Sequence, residues 1–456
     1  MSKHNQKRSM FSGKLGFVLS AAGASVGLGN IWRFPYLAAK YGGGIFLLVY
    51  IVLALTFGYT MIVAETSLGR MTGKSPVSAF ASFGKSGFLK FGGWINAISP
   101  ILIVPYYSVI GGWVLKYLAE YVMGHGSELA TDGYFSSFIA NGATTEICFV
   151  IFAFCTLVII YAGVRNGIER VSKFMMPVLV VLSLIITGYS VTRPGALAGV
   201  KYFLVPNIEN FSWMTVVSAM GQMFYSLSIA MGILVTFGSY MKKDISIEGS
   251  TRNVEIFDTL IAMMAGLMII PAVFVFSGGD PDTLQAGPAL MFITIPKVFA
   301  SMGLGTLIGI LFFVLVLFAA MTSSIALTES AVSTFEDELG WGRKKSTVVI
   351  GIIMIALGTL SSLGYGPLDF VKILGMQFLD FFDFLTNSVM MPIAAITTCL
   401  LVSRVIGVKK IEEEMLQGGT FRRKKIFNFM IRFLCPFFAG IILLSSVANA
   451  FGWISM

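Results

Sequence analysis

Apolar residues run along this chain in long segments that short polar stretches separate. About 20 consecutive apolar residues are needed to cross the hydrocarbon core of a bilayer, so we predict eleven membrane-spanning helices. Their predicted bounds are 14–38, 43–69, 92–123, 146–163, 170–190, 213–240, 255–277, 303–336, 346–362, 378–402 and 428–454. The stretch 282–300 contains two prolines and Lys297, and we predict that it forms an extracellular helical loop.

The first apolar segment is interrupted between Gly23 and Asn30. Apolar residues run from Leu15 to Ala24, and glycines then crowd the segment up to the asparagine. Each glycine costs about 1 kcal/mol inside a helix, and unwound backbone at membrane depth occurs only where it is buried in protein or lines a cavity. We therefore predict a broken helix, the device by which many transporters present backbone groups to ions and substrates.

The sixth segment carries a similar interruption, because small and hydroxyl residues crowd the range from Ser218 to Gly232. Breaks in the first and sixth segments indicate a five-helix unit that is used twice, and the odd offset inverts the second unit. The predicted fold is thus an all-α polytopic membrane protein with a 5+5 inverted repeat, unwound in helices 1 and 6 at the midplane. The alternative is that such glycines only allow close packing, as we expect for Gly305 and Gly309.

Composition fits a membrane protein. Of 456 residues, 56% are hydrophobic and 12% are charged, and the mean hydropathy is +0.83, whereas soluble domains carry roughly 25% charged residues. The net charge of +9 is concentrated in alternate loops, so no nucleic-acid partner is expected. The positive-inside rule places the N-terminus in the cytoplasm, and eleven crossings place the C-terminus outside. We expect an integral protein of the bacterial inner membrane.

The predicted organisation follows from these segments and loops. It comprises a cytoplasmic N-terminal segment (1–13), a first five-helix repeat (14–190), an extracellular loop (191–212), a second, inverted repeat (213–402), a basic cytoplasmic loop (403–427) and helix 11 (428–456). We find no nucleotide-binding loop, nucleophile elbow or metalloprotease motif, so an enzyme is not expected. The energy for transport would come from an ion gradient or from the gradient of the substrate.

Polar side chains at membrane depth are the other signal. The eighth segment contains Thr322, Ser323 and Ser324, whose hydroxyls suit a small cation but also suit hydrogen bonds to carbonyls one turn earlier. Inserting an acidic side chain at this depth of the bilayer costs on the order of 3 kcal/mol. Each acid is therefore expected to face a partner or a cavity, or to tie helices together. These acids are Glu65, Asp258, Asp380 and Asp383.

Together these motifs resemble the neurotransmitter:sodium symporter family, especially its bacterial amino-acid transporters with eleven helices. The resemblance covers nearly the whole chain. It rests on the ranges 23–35, 65–70, 222–232, 322–324 and 380–386 and on Tyr107.

The resemblance implies two Na⁺ sites beside the substrate. The first would consist of the Ser25 carbonyl, Asn30, Ser226 and Asp258, with the substrate carboxylate completing the shell. The second would consist of the Gly23, Val26 and Ala319 carbonyls and the hydroxyls of Thr322 and Ser323. Because position 258 is Asp where some relatives have Asn, its charge would replace a bound anion, and we predict chloride independence.

The resemblance also implies an amino-acid substrate. Its carboxylate would meet the amides of Leu28 and Gly29 and the Tyr107 hydroxyl, and its apolar side chain would face an apolar wall. The implied substrate-binding residues are Ser25, Leu28, Gly29, Ile103, Tyr107, Tyr225, Ser226, Ser228, Met231, Ser323 and Leu327. Position 230 is Ala where many relatives have Gly, and its methyl group is expected to narrow the pocket against a tryptophan-sized substrate.

Two gates are implied as well. Arg33 would pair with Asp383 above the substrate, with Asp380 as the alternative partner. Arg8 would pair with Asp337 near Tyr240 on the cytoplasmic side. Glu65 would support the helix break. The spacing of Gly167 and Pro177 marks a stretch that unwinds in some relatives, although a simple proline kink explains it equally well.

We therefore expect a sodium-coupled importer of hydrophobic or neutral L-amino acids that works by alternating access. Three other functions stay open at this point. They are a ligand-gated channel or sensor on the same fold, a proton-coupled transporter in which Asp258 or Glu65 titrates, and a membrane enzyme that uses the buried acids.

Overall fold

The computed structural model describes residues 9–278 and 287–453, and these residues fold into a helical bundle. Within them, β-structure is limited to isolated bridges between Gly43 and Pro206 and between Ile373 and Met376. The all-α class predicted from the sequence is therefore confirmed.

We label the main helices in chain order. They are α1 (Lys14–Ser25), α2 (Gly29–Lys40), α3 (Gly44–Thr72), α4 (Pro76–Ala81), α5 (Gly87–Val122), α6 (Gly142–Tyr161), α7 (Val164–Val191), α8 (Ala196–Leu204), α9 (Trp213–Ser226), α10 (Ile233–Ser239), α11 (Ile247–Ser277), α12 (Leu290–Ala300), α13 (Gly305–Leu339), α14 (Arg343–Leu363), α15 (Phe378–Ile406), α16 (Val408–Gln417) and α17 (Lys424–Ala450).

Nine helices of the described residues are long and apolar enough to cross a membrane. The pair α1 and α2, bent by 54°, makes a tenth if it is counted as one span. The predicted span 213–240 is divided into α9 and α10, and each half is short. The count of eleven therefore stays a prediction. The stretch 279–286 lies outside the described residues, and α12 forms in the rest of the predicted extracellular loop.

The first interruption is narrower than the glycine pattern predicts. Helix α1 continues through Gly23 to Ser25, Val26 is extended (φ −76°, ψ 93°), and α2 begins at Gly29. One glycine lowers helix stability by only about 1 kcal/mol, so Gly23 stays helical where the surrounding packing favours it.

The second interruption contains strained backbone. Between the end of α9 and the start of α10, Ser228 (φ 53°) and Ala230 (φ 60°) adopt the left-handed conformation. This region is unfavourable for residues with a Cβ atom, and such strain persists only where the surroundings enforce it. The backbone around Ala230 is therefore held in place by its neighbours.

Helices α3 and α10 pack with their backbones in contact. A Cβ atom added at Gly69 would lie 1.9 Å from the Val235 carbonyl oxygen, and one added at Gly238 would lie 2.4 Å from the Thr66 carbonyl oxygen. Small residues permit this close approach between membrane helices. The packing fixes the second half of the broken helix against the helix that carries Glu65.

The predicted basic loop 403–427 contains regular structure. Helix α15 extends to Ile406, and α16 follows with Ile411 and Met415 buried, an apolar spacing typical of an amphipathic helix. Arg70 of α3 donates from Nε to Glu414 of α16 over 2.7 Å. This buried ion pair anchors α16 against the end of α3.

We predict that Gly69→Ala lowers the melting temperature of the detergent-solubilised protein, because its methyl group forces two packed backbones apart and such overpacking costs about 1–3 kcal/mol or more. Gly188→Ala is the matched control, since a Cβ atom at this helical glycine meets nothing within 4 Å. Equal melting temperatures for the two variants, measured by fluorescence-detected size exclusion, would contradict the backbone contact.

Candidate functional site

A small cavity of about 30 Å³ lies between the two helix breaks. All the residues implied as substrate-binding line it, together with Ala24, Gly27, Asn30 and Ile233. Ala24, Gly27, Asn30 and Ile233 are not among the residues predicted to contact the substrate. The structure thus brings the predicted set together around one pocket, while the role of each residue in binding stays a prediction.

The polar end of the pocket is formed by the first break. The Leu28 amide donates to the Tyr107 hydroxyl at 3.4 Å. A Cβ atom at Gly29 would lie 2.5 Å from the Tyr225 ring, and one at Gly27 would lie 2.7 Å from the Ser323 hydroxyl oxygen. Glycine at these positions lets the pocket side chains approach the backbone closely.

The carboxylate of Asp258 collects three hydrogen bonds from three other helices. Its Oδ1 accepts from Asn30 Nδ2 (2.8 Å) and from Ser226 Oγ (2.7 Å), and its Oδ2 accepts from the Tyr50 hydroxyl (2.8 Å). Asp258 itself lies on α11 and is fully buried. Ser25 lines the adjoining pocket, so the four residues of the predicted first ion site do converge.

The residues of the predicted second ion site lie where α1 ends beside α13. They are Gly23, Val26, Ala319, Thr322 and Ser323, and all of them are buried. Ser323 Oγ donates to the carbonyls of Ala24 (3.1 Å) and Gly23 (3.4 Å), so it contacts the end of α1. Thr322 Oγ1 instead donates within its own helix, including to the Ala319 carbonyl at 3.1 Å, as the alternative interpretation expected.

Two side chains hold the broken backbone. Glu65 Oε1 accepts from the Ala230 amide at 2.8 Å, and Gln222 Nε2 donates to the Gly29 carbonyl at 3.0 Å. Ala230 does not belong to the residues that line the pocket. The expectation that its methyl group narrows the pocket stays a prediction.

A larger cavity of about 460 Å³ lies on one side of the small pocket. Arg33, Asp380 and Asp383 line it, and Tyr225 lines both cavities. The Arg33 guanidinium lies 5.5 Å from the centre of the Tyr225 ring.

The acids of this larger cavity have neutral partners. Asp383 accepts from Asn387 Nδ2 at 2.6 Å, and Asp380 accepts from the Tyr365 hydroxyl at 2.9 Å. Arg33 forms an ion pair with neither acid in this structure, and its predicted pairing with Asp383 stays a prediction for a closed state.

The opposite side of the pocket is closed by a buried cluster. Glu329 of α13 accepts from the Tyr240 hydroxyl (2.6 Å) and from Arg343 of α14 (2.5 Å), and Glu329 is fully buried. Asp337 accepts from the Ser75 amide at 2.6 Å. Arg8, the predicted partner of Asp337, lies outside the described residues.

Sequence reasoning missed Tyr50, Glu329 and Arg343. Glu329 lies inside the predicted eighth segment, so the rule that flagged the other membrane acids applied to it as well. Tyr50 gives no comparable signal, because a tyrosine in an apolar segment is ordinary.

Comparison with known proteins identifies the family. A sequence model described as the Sodium:neurotransmitter symporter family matches residues 8–127 and 134–452. The chain belongs to this family. An uncharacterised sodium-dependent transporter of Bacillus subtilis, YhdH, is 34% identical over 97% of the chain and 98% of its own length. An uncharacterised sodium-dependent transporter of Haemophilus influenzae is 30% identical over 98% of the chain and 100% of its own length.

A solved structure also matches. The crystal structure of MhsT in complex with L-phenylalanine covers 96% of this chain and 100% of its own, with 34% identity and a TM-score of 0.85. The resemblance inferred from the motifs is therefore confirmed. The protein is an integral membrane, sodium-coupled symporter. More distantly, human "Sodium- and chloride-dependent GABA transporter 2" is 27% identical over 94% of the chain and 78% of its own length.

We predict that Glu65→Leu reduces transport and thermal stability more than Glu65→Gln. Leucine leaves the buried Ala230 amide without an acceptor, which costs about 1–3 kcal/mol, whereas the glutamine oxygen still accepts. Initial uptake rates and melting temperatures of both variants test this. Equal and complete loss of uptake in both variants would instead indicate that Glu65 must ionise.

Proposed function

We propose that this symporter imports neutral, apolar L-amino acids together with Na⁺ by alternating access. The observation that carries the proposal is the composition of the small pocket. The Leu28 amide and the Tyr107 hydroxyl provide donors for a carboxylate, and the lining also includes the apolar side chains of Ile103, Met231 and Leu327. An amino acid with an apolar side chain matches both sets of groups.

The Asp258 cluster supports a Na⁺ site at this pocket. The described partners of the carboxylate are neutral, and an uncompensated buried charge is unfavourable. A small hard cation prefers oxygen ligands, which Asn30, Ser226 and the Ser25 carbonyl supply. The predicted second site, which comprises the Gly23, Val26 and Ala319 carbonyls and the Thr322 and Ser323 hydroxyls, likewise offers only oxygen ligands. We therefore propose two Na⁺ sites.

Shared ligands would couple the ion to the substrate. If the substrate carboxylate completes the first Na⁺ shell, each binds better when the other is present, and this coupling is reciprocal. MhsT is 34% identical to this chain, and its structure was solved in complex with L-phenylalanine. This similarity supports an amino-acid substrate for the present protein.

Substrate binding requires the pocket to change shape. A cavity of about 30 Å³ is small for an amino acid, so we expect lining side chains such as Tyr225 and Met231 to move when a substrate binds. Met is flexible and fills irregular spaces, which favours tolerance of several apolar substrates. The panel of candidate substrates includes tryptophan, whose uptake tests the expected narrowing of the pocket by the Ala230 methyl group.

We also propose that transport is independent of chloride. Asp258 supplies a fixed negative charge beside the first Na⁺ site, where a bound anion would otherwise balance the cation. The name of the human relative includes chloride, whereas the names of the two bacterial relatives mention sodium alone. We further propose residence in a bacterial inner membrane, with the N-terminus in the cytoplasm.

One prediction concerns the coupling ion. Purified protein in liposomes should take up labelled leucine, phenylalanine or tryptophan saturably when Na⁺ is outside, and much less with K⁺. A channel would give uptake that does not saturate, and a proton-coupled carrier would respond to a pH gradient without Na⁺. Equal uptake in Na⁺ and K⁺ would overturn the proposal.

The same assay tests the first ion site. We expect Asn30→Ala to raise the half-saturating Na⁺ concentration by about tenfold, since hydrogen bonds and contacts to charged groups contribute about 1.5–3 kcal/mol. Asn428→Ala is the matched control, because Asn428 donates to Glu412 far from the pocket. Unchanged Na⁺ affinity in Asn30→Ala would contradict the site assignment.

Another prediction concerns chloride. Replacing chloride by gluconate on both sides of the liposome membrane at neutral pH should leave the initial uptake rate unchanged, because Asp258 already carries the balancing charge. The Na⁺ concentration is held constant between the two buffers. Stimulation of uptake by chloride would show that the carboxylate does not replace an anion.

A further inference from the structure

A third cavity lies on the outer face of the bundle, between α6 and α14. Its volume is about 630 Å³, and its walls include Phe154 and Leu157 of α6 and Ile352 and Ala356 of α14. Phe154 is 64% exposed and Ile352 is 63% exposed. The groove therefore faces the surroundings of the bundle and has no connection with the transport pocket described above.

The groove forms a trough between the two helices. A Cβ atom at Gly351 would lie 3.0 Å from Leu157, so the two helices nearly touch along its floor. Along α6 it extends from Phe154 to Tyr161, a rise of about 10 Å at 1.5 Å per residue. A trough of this length accommodates part of an extended hydrocarbon chain.

One end of the groove is positively charged. Tyr161 and Thr347 line this end, and the Lys344 ammonium lies 5.6 Å from the centre of the Tyr161 ring. Arg165 and Lys345 are exposed and lie close to these two residues in sequence, and the Lys345 ammonium lies 4.0 Å from the centre of the Trp341 ring. Within the described residues, none of these three cations forms an ion pair, whereas the neighbouring Arg343 turns inward to Glu329.

We propose that this groove binds one acidic glycerophospholipid, with an acyl chain between α6 and α14 and its phosphate at Lys344 and Lys345. Lipid tails are as apolar as the groove walls, so the trough determines where the chain lies but gives little selectivity. Basic residues at a membrane surface attract anionic headgroups, so the selectivity resides in the headgroup charge.

A second copy of the chain fits this face less well. In a two-fold dimer about the membrane normal, the same residues of both copies lie at the same depth. The lysine clusters at the end of the two grooves would then approach each other, and their repulsion would oppose association.

The test uses the full chain, stripped of lipid in a mild detergent and titrated with dioleoyl phosphatidylglycerol or dioleoyl phosphatidylcholine. Native mass spectrometry should show one phosphatidylglycerol per chain, bound about tenfold more tightly than phosphatidylcholine, a difference of about 1.4 kcal/mol. The double variant Lys344→Gln/Lys345→Gln should bind both lipids equally. Ala356→Trp, which fills the trough and keeps the charges, should weaken both.

The matched control is Lys409→Gln/Lys410→Gln, which removes two exposed lysines of α16 and should leave the preference unchanged. Equal binding of the two lipids by the unmodified protein would overturn the proposal, as would equal loss of preference in the control. A dimer in the unmodified protein that Ala356→Trp dissociates would assign the groove to a second copy instead.

Discussion

The structure around the pocket depends on one constraint: backbone groups released by a broken helix must find partners away from water. The Ala24 carbonyl at the end of α1 accepts from Ser228 (2.9 Å) and Ser323 (3.1 Å). The Ala230 amide donates to Glu65. The hydroxyls that satisfy the first break also line the pocket, so the demands of folding and of binding fall on the same side chains.

Asp258 extends this constraint from backbone to charge. Its three donors come from α2, α3 and α9, so a single carboxylate joins both broken helices to α11 and to the intervening helix. A change at this carboxylate therefore reaches both halves of the site at once. This connection gives a physical basis for a bound cation to influence the positions of α2 and α9, the two segments that frame the substrate end of the pocket.

Most residues of the candidate site could be singled out from the sequence, because each is energetically unfavourable in a plain membrane helix and can be recognised from its position alone. Glycines at 27 and 29 and the acids Glu65 and Asp258 are unfavourable in a plain membrane helix, so their presence demands an explanation. Tyr50 could not be placed in this way, because its role depends on a partner 208 residues away. The helix α16 was missed for another reason. The many charged residues of this stretch favoured the prediction of a loop, although Ile411 and Met415 are four residues apart, which is typical of one face of a helix.

The two sides of the pocket differ in how they are closed. On one side Tyr225 separates the pocket from a cavity of about 460 Å³, in which Arg33 and Asp383 are unpaired with each other. On the other side Glu329, Tyr240 and Arg343 form a buried, hydrogen-bonded cluster. Breaking that cluster without replacement would leave an uncompensated buried charge, a cost of several kcal/mol. The Tyr225 side chain thus lies between the pocket and the Arg33 cavity. Opening the Glu329 side would instead break the buried contacts that join α13 to Tyr240 and to Arg343 of α14.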